Sequence, residues 1–204
     1  MKRFLSIFMC LVLVMSLCAI LASCDDDGEP AATTAAAATT TADDAAATTT
    51  AATTTAATTT VPAPDGYKLY AKDGISFAYP ENWNKDDSTG IASAPNGQKN
   101  IVVTYEEATT MYDNLTADQF YAMFAPMYEQ LGWTISNVSA KTVTTNGLTV
   151  HVYSFETVLP QPSAPMIQTL FLTTVGNRTY SVSLTENAVD EAIASTILAT
   201  ICVA

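Results

Sequence analysis

His151 is the only histidine in the chain, and it stands in the run from Leu148 to Thr157. An imidazole is the side chain best suited to proton transfer near neutral pH, and it is also a common metal ligand. Strand alternation places His151 on one face with Thr149, Tyr153 and Phe155, and Leu148, Val150 and Val152 on the other. A lone histidine in such a run is expected to be a half-exposed sheet residue. No G-x-S-x-G nucleophile turn accompanies it. Carboxylate pairs are the next candidates: Asp86 with Asp87, Glu106 with Glu107, and Asp113 with Asp118. The spaced acidic pattern of a calcium loop is absent, so these acids read as solvated loop charge. Tyr105, Tyr112, Tyr121 and Tyr128 crowd one region. Tyr121 and Tyr128 lie seven residues apart, which puts them on one helix flank. Surface tyrosines favour contact with a partner or a sugar ring, and these two form the candidate partner surface. No residue is assigned a catalytic role, and neither a metal nor a cofactor is implied.

The four cysteines divide by position. Cys10 and Cys18 lie in an apolar run from Phe4 to Leu21 that follows Met1-Lys2-Arg3. A basic head, an apolar middle and small residues at the cut are the layout of a secretory signal. Leu21-Ala22-Ser23-Cys24 closes that run and resembles a bacterial lipobox. In a lipobox the thiol is joined to diacylglycerol and the chain is cut before it, here between Ser23 and Cys24. Asp25, Asp26 and Asp27 follow, and carboxylates are costly inside a bilayer, which argues against a plain spanning anchor. Durable attachment needs more than one acyl chain, and a diacylglyceryl cysteine meets that need. Cys202 alone is left for the folded part, so no internal disulfide and no cysteine-rich zinc site is expected. It reads as a small buried apolar residue near a helix end.

The chain carries 8 Lys+Arg against 20 Asp+Glu, a formal charge of −12. Phosphate neutralisation needs lysine and arginine, so nucleic acid is excluded as a partner. Residues 31–60 are Ala and Thr apart from Asp43 and Asp44. Such a stretch has no large apolar side chain to offset its ordering entropy. Residues 24–64 are therefore expected to form a disordered tether. As a flexible coil it would reach roughly 35–40 Å.

Residues 65–204 are long enough for one domain with a real core. Asp73-Gly74, Asn96-Gly97, Asn146-Gly147 and Gly176-Asn177 each stand at the start of, or between, alternating apolar runs. They predict a meander of antiparallel hairpins. One helix is expected from Thr116, with Thr116 and Gln119 spaced as a capping box and Leu115 and Phe120 as a hydrophobic staple. Phe120, Met123, Phe124, Met127 and Leu131 make its apolar stripe, and Gly132 stops it. Pro126 inside it predicts a kink or a restart. A second helix is expected after Asn187, with Val189, Ile193, Thr196, Ile197 and Ile201 buried and Asp190 and Glu191 in its first turn. The Leu159–Pro165 stretch, with three prolines, predicts a stiff exposed loop.

The opening Gly74–Trp83 segment carries Phe77, Tyr79, Pro80 and Trp83. With the junction Leu131-Gly132-Trp133 and the closing Gly176-Asn177 hairpin, it resembles the PsbP-like superfamily, including its DcrB-type bacterial lipoproteins. The resemblance covers most of residues 65–203. It implies an α+β fold, an antiparallel sheet with helices packed on it. It also implies a domain that binds other proteins or assists an assembly rather than an enzyme, and it transfers no functional residue. The sequence reading is a lipoprotein tethered to the membrane through Cys24, on the extracytoplasmic face, binding an unidentified protein or envelope component. The alternative is a small-ligand-binding or hydrolytic envelope protein using His151. Cys24→Ala is expected to leave an unprocessed precursor that takes up no labelled fatty acid. Normal labelling of that variant would refute the anchor.

Overall fold

The computed structural model describes residues 61–159 and 164–204. Ser23, Cys24, most of the expected tether and part of the proline-rich loop lie outside the described residues.

The Asp73-Gly74 turn joins β1 (Tyr67–Lys72) to β2 (Ile75–Pro80), as its sequence requires. Gly74 has φ +100°, and a Cβ there would sit 2.9 Å from the Tyr180 hydroxyl, so glycine alone fits. That hydroxyl donates to the Asp73 carbonyl and ties the turn to the large sheet. β3 (Asn84–Asp86) and β4 (Ile91–Ser93) are short, and β5 (Lys99–Glu107) is long. After α1 (Ala117–Glu129) come β6 (Thr134–Thr145), β7 (Leu148–Val158), β8 (Met166–Val175) and β9 (Arg178–Glu186). α2 (Glu191–Thr200) and the two-residue β10 (Cys202–Val203) end the domain.

The result is an α+β fold, but not a simple meander. β1, β2 and β10 form a separate three-stranded sheet, while the large sheet has the order β3-β4-β5-β9-β8-β7-β6. Every pairing is antiparallel. The turn signals define the hairpins, but hairpins do not say which strand lies beside which. The β5–β9 pairing, spanning Lys99↔Glu186 to Glu107↔Arg178, has no local signal.

Alternation along β5, β7, β8 and β9 gives the large sheet two unlike faces. One packs Ile101, Val150, Val152, Phe171, Val182 and Leu184 against the small sheet and α2. The Ala78 amide donates to Thr200 Oγ1 (2.8 Å), joining the small sheet to the end of α2. The other face packs Tyr153, Phe155, Leu170 and Leu172 under α1. Phe120 is fully buried there, its ring 4.4 Å from those of both Phe124 and Tyr153.

α1 begins as its capping box predicts: Thr116 Oγ1 accepts from the Gln119 amide, and Gln119 Oε1 accepts from the Thr116 amide. Gly132, at φ +75°, ends it. The Gly132 amide donates to the Glu129 carbonyl and the Trp133 amide to that of Tyr128, the bond pair of a left-handed glycine stop. The helix runs on through Pro126 without a restart. The deepest residues of α1 are Phe120, Ala125 and Tyr128, while Met123 and Met127 are only half-buried. Val189 is also misplaced by periodicity: it precedes the first turn of α2 and is 62% exposed. Asp190 is the residue that begins α2 rather than part of its first turn. Cys202 is buried, as its type suggests, but in a strand beside Ser76.

Phe120→Ala is expected to cost about 3–5 kcal/mol in urea unfolding, the range for a buried aromatic. Tyr121→Ala, one residue along at 44% exposure, is expected to cost under about 0.5 kcal/mol.

Candidate functional site

After β5 the chain crosses the α1 face of the large sheet before entering the helix. Two bonds pin the crossing: the Ala108 amide to the Asn177 carbonyl (2.8 Å) and the Thr109 amide to Thr179 Oγ1 (2.9 Å). The Tyr153 hydroxyl holds its far end by donating to the Tyr112 carbonyl (2.8 Å). Asp113 is thereby carried over β7 and onto His151.

His151 is not half-exposed. Only 7% of it remains accessible, because the crossing segment lies over it. Its Nε2 is 3.4 Å from Asp113 Oδ1, and its Nδ1 is 3.0 Å from Oγ1 of Thr142, directly opposite on β6. A hydroxyl, an imidazole and a carboxylate thus stand in line. His151 and Asp113 border a cleft of about 530 Å³. Thr109, Thr110, Thr149, Thr173, Thr174 and Thr179 make up nearly half of its lining, to which Asn114 also belongs. No lysine or arginine lines it. Sequence reasoning found His151 and Asp113 separately. It gave no reason to join them, because their meeting depends on the path of residues 108–114. The threonine lining came from four different segments and carried no pattern along the chain.

The proposed tyrosine surface does not survive as a pair. Tyr121 is exposed, but Tyr128 is 2% exposed. Both point the same way about the helix axis. The chain returning through Gly132 covers only the second: Tyr128 packs against Trp133 and edge-on against Phe155, and its hydroxyl donates to Gln168 (3.0 Å). Tyr112 is also buried, while Tyr105 is half-exposed under the Arg178 guanidinium, 4.3 Å from its ring centre.

The acidic pairs have separate duties. Asp86 Oδ1 accepts from the Ser88 hydroxyl and amide, which hold its carboxyl down at about 2. Asp87 pairs with Lys85 at 2.7 Å. Burial raises Glu106 above the ordinary carboxyl range, and Asp118 sits in the first turn of α1. Among the described residues no three His, Cys, Asp or Glu side chains come together to hold a metal ion.

A second charged cluster lies on the opposite face, at the start of α2. Lys99 reaches Asp190 Oδ2 (3.0 Å) and the buried Glu186 (3.4 Å). Burial raises Glu186, although the Asp190 amide and Lys99 pull the other way. The Lys99 hydrogen bond lowers Asp190.

No protein family matches the chain by sequence, nor does any curated protein. Among solved structures, the fold is similar to the solution structure of cyanobacterial PsbP (CyanoP) from Synechocystis sp. PCC 6803. The identity is 15% and the TM-score 0.53, over 68% of this chain and 93% of that one. A crystal structure from Bacteroides thetaiotaomicron is matched at 17% identity and TM-score 0.43, over 67% of this chain and 48% of that one. The domain has a PsbP-like fold, as the Phe77–Trp83 and Gly132-Trp133 motifs implied; at 15% identity the likeness is one of fold.

Glu186 binds its proton more tightly folded than unfolded, so its contribution to stability falls as pH rises from 4.5 through its raised value. Asp190 does the reverse: its contribution is present above 3.8 and lost as pH falls through its lowered value. Glu186→Gln is expected to flatten the loss of stability above pH 4.5 and to leave the acid-side loss in place, read by urea unfolding across a pH series.

Proposed function

We propose that the protein is an exported, lipid-anchored binding domain that takes an envelope component in the His151 cleft. The signal-like start and Cys24 support the anchor. The observation that carries the binding site is the buried His151, held between Thr142 and the exposed Asp113 and opening with Asp113 onto a cleft lined by threonines. Hydroxyls donate and accept alike, and Asp113, Asn114 and His151 add oriented polar groups. A cleft with a carboxylate and without a cation disfavours phosphate and suits a neutral, hydroxyl-rich ligand. A glycan of the envelope has that chemistry. The role is one of binding, without turnover.

His151 and Asp113, which both line the cleft, also support a second reading, hydrolysis, with His151 as the base for an attacking water. One experiment separates the two. The full-length protein in mild detergent is titrated with the hexamer of N-acetylglucosamine. Amide shifts at Asp113, Asn114, Thr149 and Thr174 are expected, with the hexamer left intact. His151→Gln and Asp113→Asn are each expected to weaken binding about tenfold, as loss of a charge-assisted hydrogen bond does. Shortened oligomers produced by wild type but not by His151→Gln would establish hydrolysis instead. No shift in the cleft at millimolar hexamer would overturn the glycan reading.

A further inference from the structure

The β6 strand ends the large sheet, and among the described residues nothing pairs with its outer side. It is also long, 12 residues, whereas β3 at the opposite edge has 3. A bulge between Ser136 and Ser139, with Asn137 at φ +52°, breaks its first third. From Ser139 to Thr145 the register with β7 is unbroken. Free N–H and C=O groups along such a stretch are a template for another strand, and proteins commonly blunt such edges with charge, proline or covering segments. Here the only charged side chain is Lys141.

Beside this edge lies a groove of about 690 Å³, independent of the His151 cleft and on the other face of the sheet. Its floor is Lys141 and Val143 of β6, Val152 of β7 and Phe171 of β8. Its wall is α2. That helix carries two stripes: Ile193, Ile197 and Thr200 enter the core, while Glu191, Ala194, Ser195, Leu198 and Ala199 face the groove. Val189, 62% exposed, sits at the groove's end. An unpaired strand and a half-apolar helix stripe therefore flank one trough. In strand addition, main-chain bonds give affinity and pockets for alternate side chains give specificity.

The charge pattern selects the occupant. β6 has no acidic side chain in a chain with 20, and Lys141 joins none of the ion pairs among the described residues. The two carboxylates that also line the groove stand on other elements, Glu186 on β9, three strands from β6 and paired with Lys99, and Glu191 at the start of α2. A second copy adding through the same segment would bring Lys141 beside its twin, and like charges on neighbouring strands are destabilising. An acid opposite Lys141 is favourable. On an antiparallel strand, the residue two positions before that acid lies on the same face opposite Val143, where a large apolar side chain reaches the groove.

We propose that the edge Ser139–Thr145 and the groove along α2 form a docking site for an extended peptide of pattern apolar-x-acid, which adds antiparallel to β6. The test uses the capped heptapeptide Thr-Leu-Thr-Glu-Thr-Val-Thr with a fluorophore, titrated into the full-length protein in mild detergent. Saturable anisotropy is expected, together with slowed amide exchange confined to residues 139–145. Lys141→Glu, Ser195→Trp and replacement of the peptide's Glu by Lys are each expected to weaken binding at least tenfold. The first two alter exposed side chains, so folding is retained. N-methylation of alternate peptide amides, which leaves the protein unchanged, is expected to abolish binding in one of its two registers and spare it in the other. Three results would overturn the proposal. One is unchanged affinity in Lys141→Glu. Another is protection at residues 108–114 in place of 139–145. The third is a dimer in sedimentation that protects residues 139–145 without peptide, which would make a second copy the occupant.

Discussion

Nine residue pairs between β5 and β9 are the constraint on which the rest of this structure depends. They join segments about 80 residues apart in the chain, so loop-closure entropy is spent before any of their bonds form. Once β9 lies against β5, the excursion between them has a single way to be accommodated. The chain leaves β5, crosses one face of the sheet, forms α1 and returns as three hairpin-linked strands from the far edge inward. β6 is forced to be the edge, because it is the first strand of the return. The crossing segment is forced over β7, because α1 must begin beyond it. The cleft and the edge position of β6 are both consequences of that single long-range pairing.

The two faces of the sheet then meet different fates. The face under the small sheet and α2 is sealed by Phe77, Ile193, Ile197 and Ile201, none more than 5% exposed. The face under α1 is only partly sealed. A 13-residue helix spans about 20 Å, too short to cover four long strands. Tyr153 and Phe155 are covered, and beyond them the face becomes polar, with Thr149, Thr174 and Thr179 around His151. Polar residues at the end the helix does not reach satisfy themselves against the crossing segment and against solvent. This is the physical origin of a hydroxyl-rich cleft beside the aromatic cluster under α1.

His151 shows how burial follows from path rather than from residue type. In the strand it is one of several residues pointing to a mixed face. What buries it is Asp113, held by backbone bonds from Ala108 and Thr109 to β8–β9. Tyr128 is a second example. Helical geometry sets it and Tyr121 on one flank, and only the return of the chain through Trp133 distinguishes them. Val189 is the converse: an apolar residue at helical spacing that falls outside the helix.

The local elements were determined by the sequence alone. The capping box at Thr116, the stop at Gly132, the four hairpin turns and the alternating strands are interactions among residues close in the chain, and each was legible there. So was the PsbP-like fold, through the Phe77–Trp83 and Gly132-Trp133 motifs. Only the tertiary structure decided the strand order, the separate small sheet, the Thr142–His151–Asp113 line and the trough between β6 and α2. Each of these is a meeting of segments tens of residues apart. Such meetings are set by which faces bury together and by the β5–β9 closure. A one-dimensional pattern of polar and apolar residues records that a face must be covered, and leaves open which part of the chain will cover it.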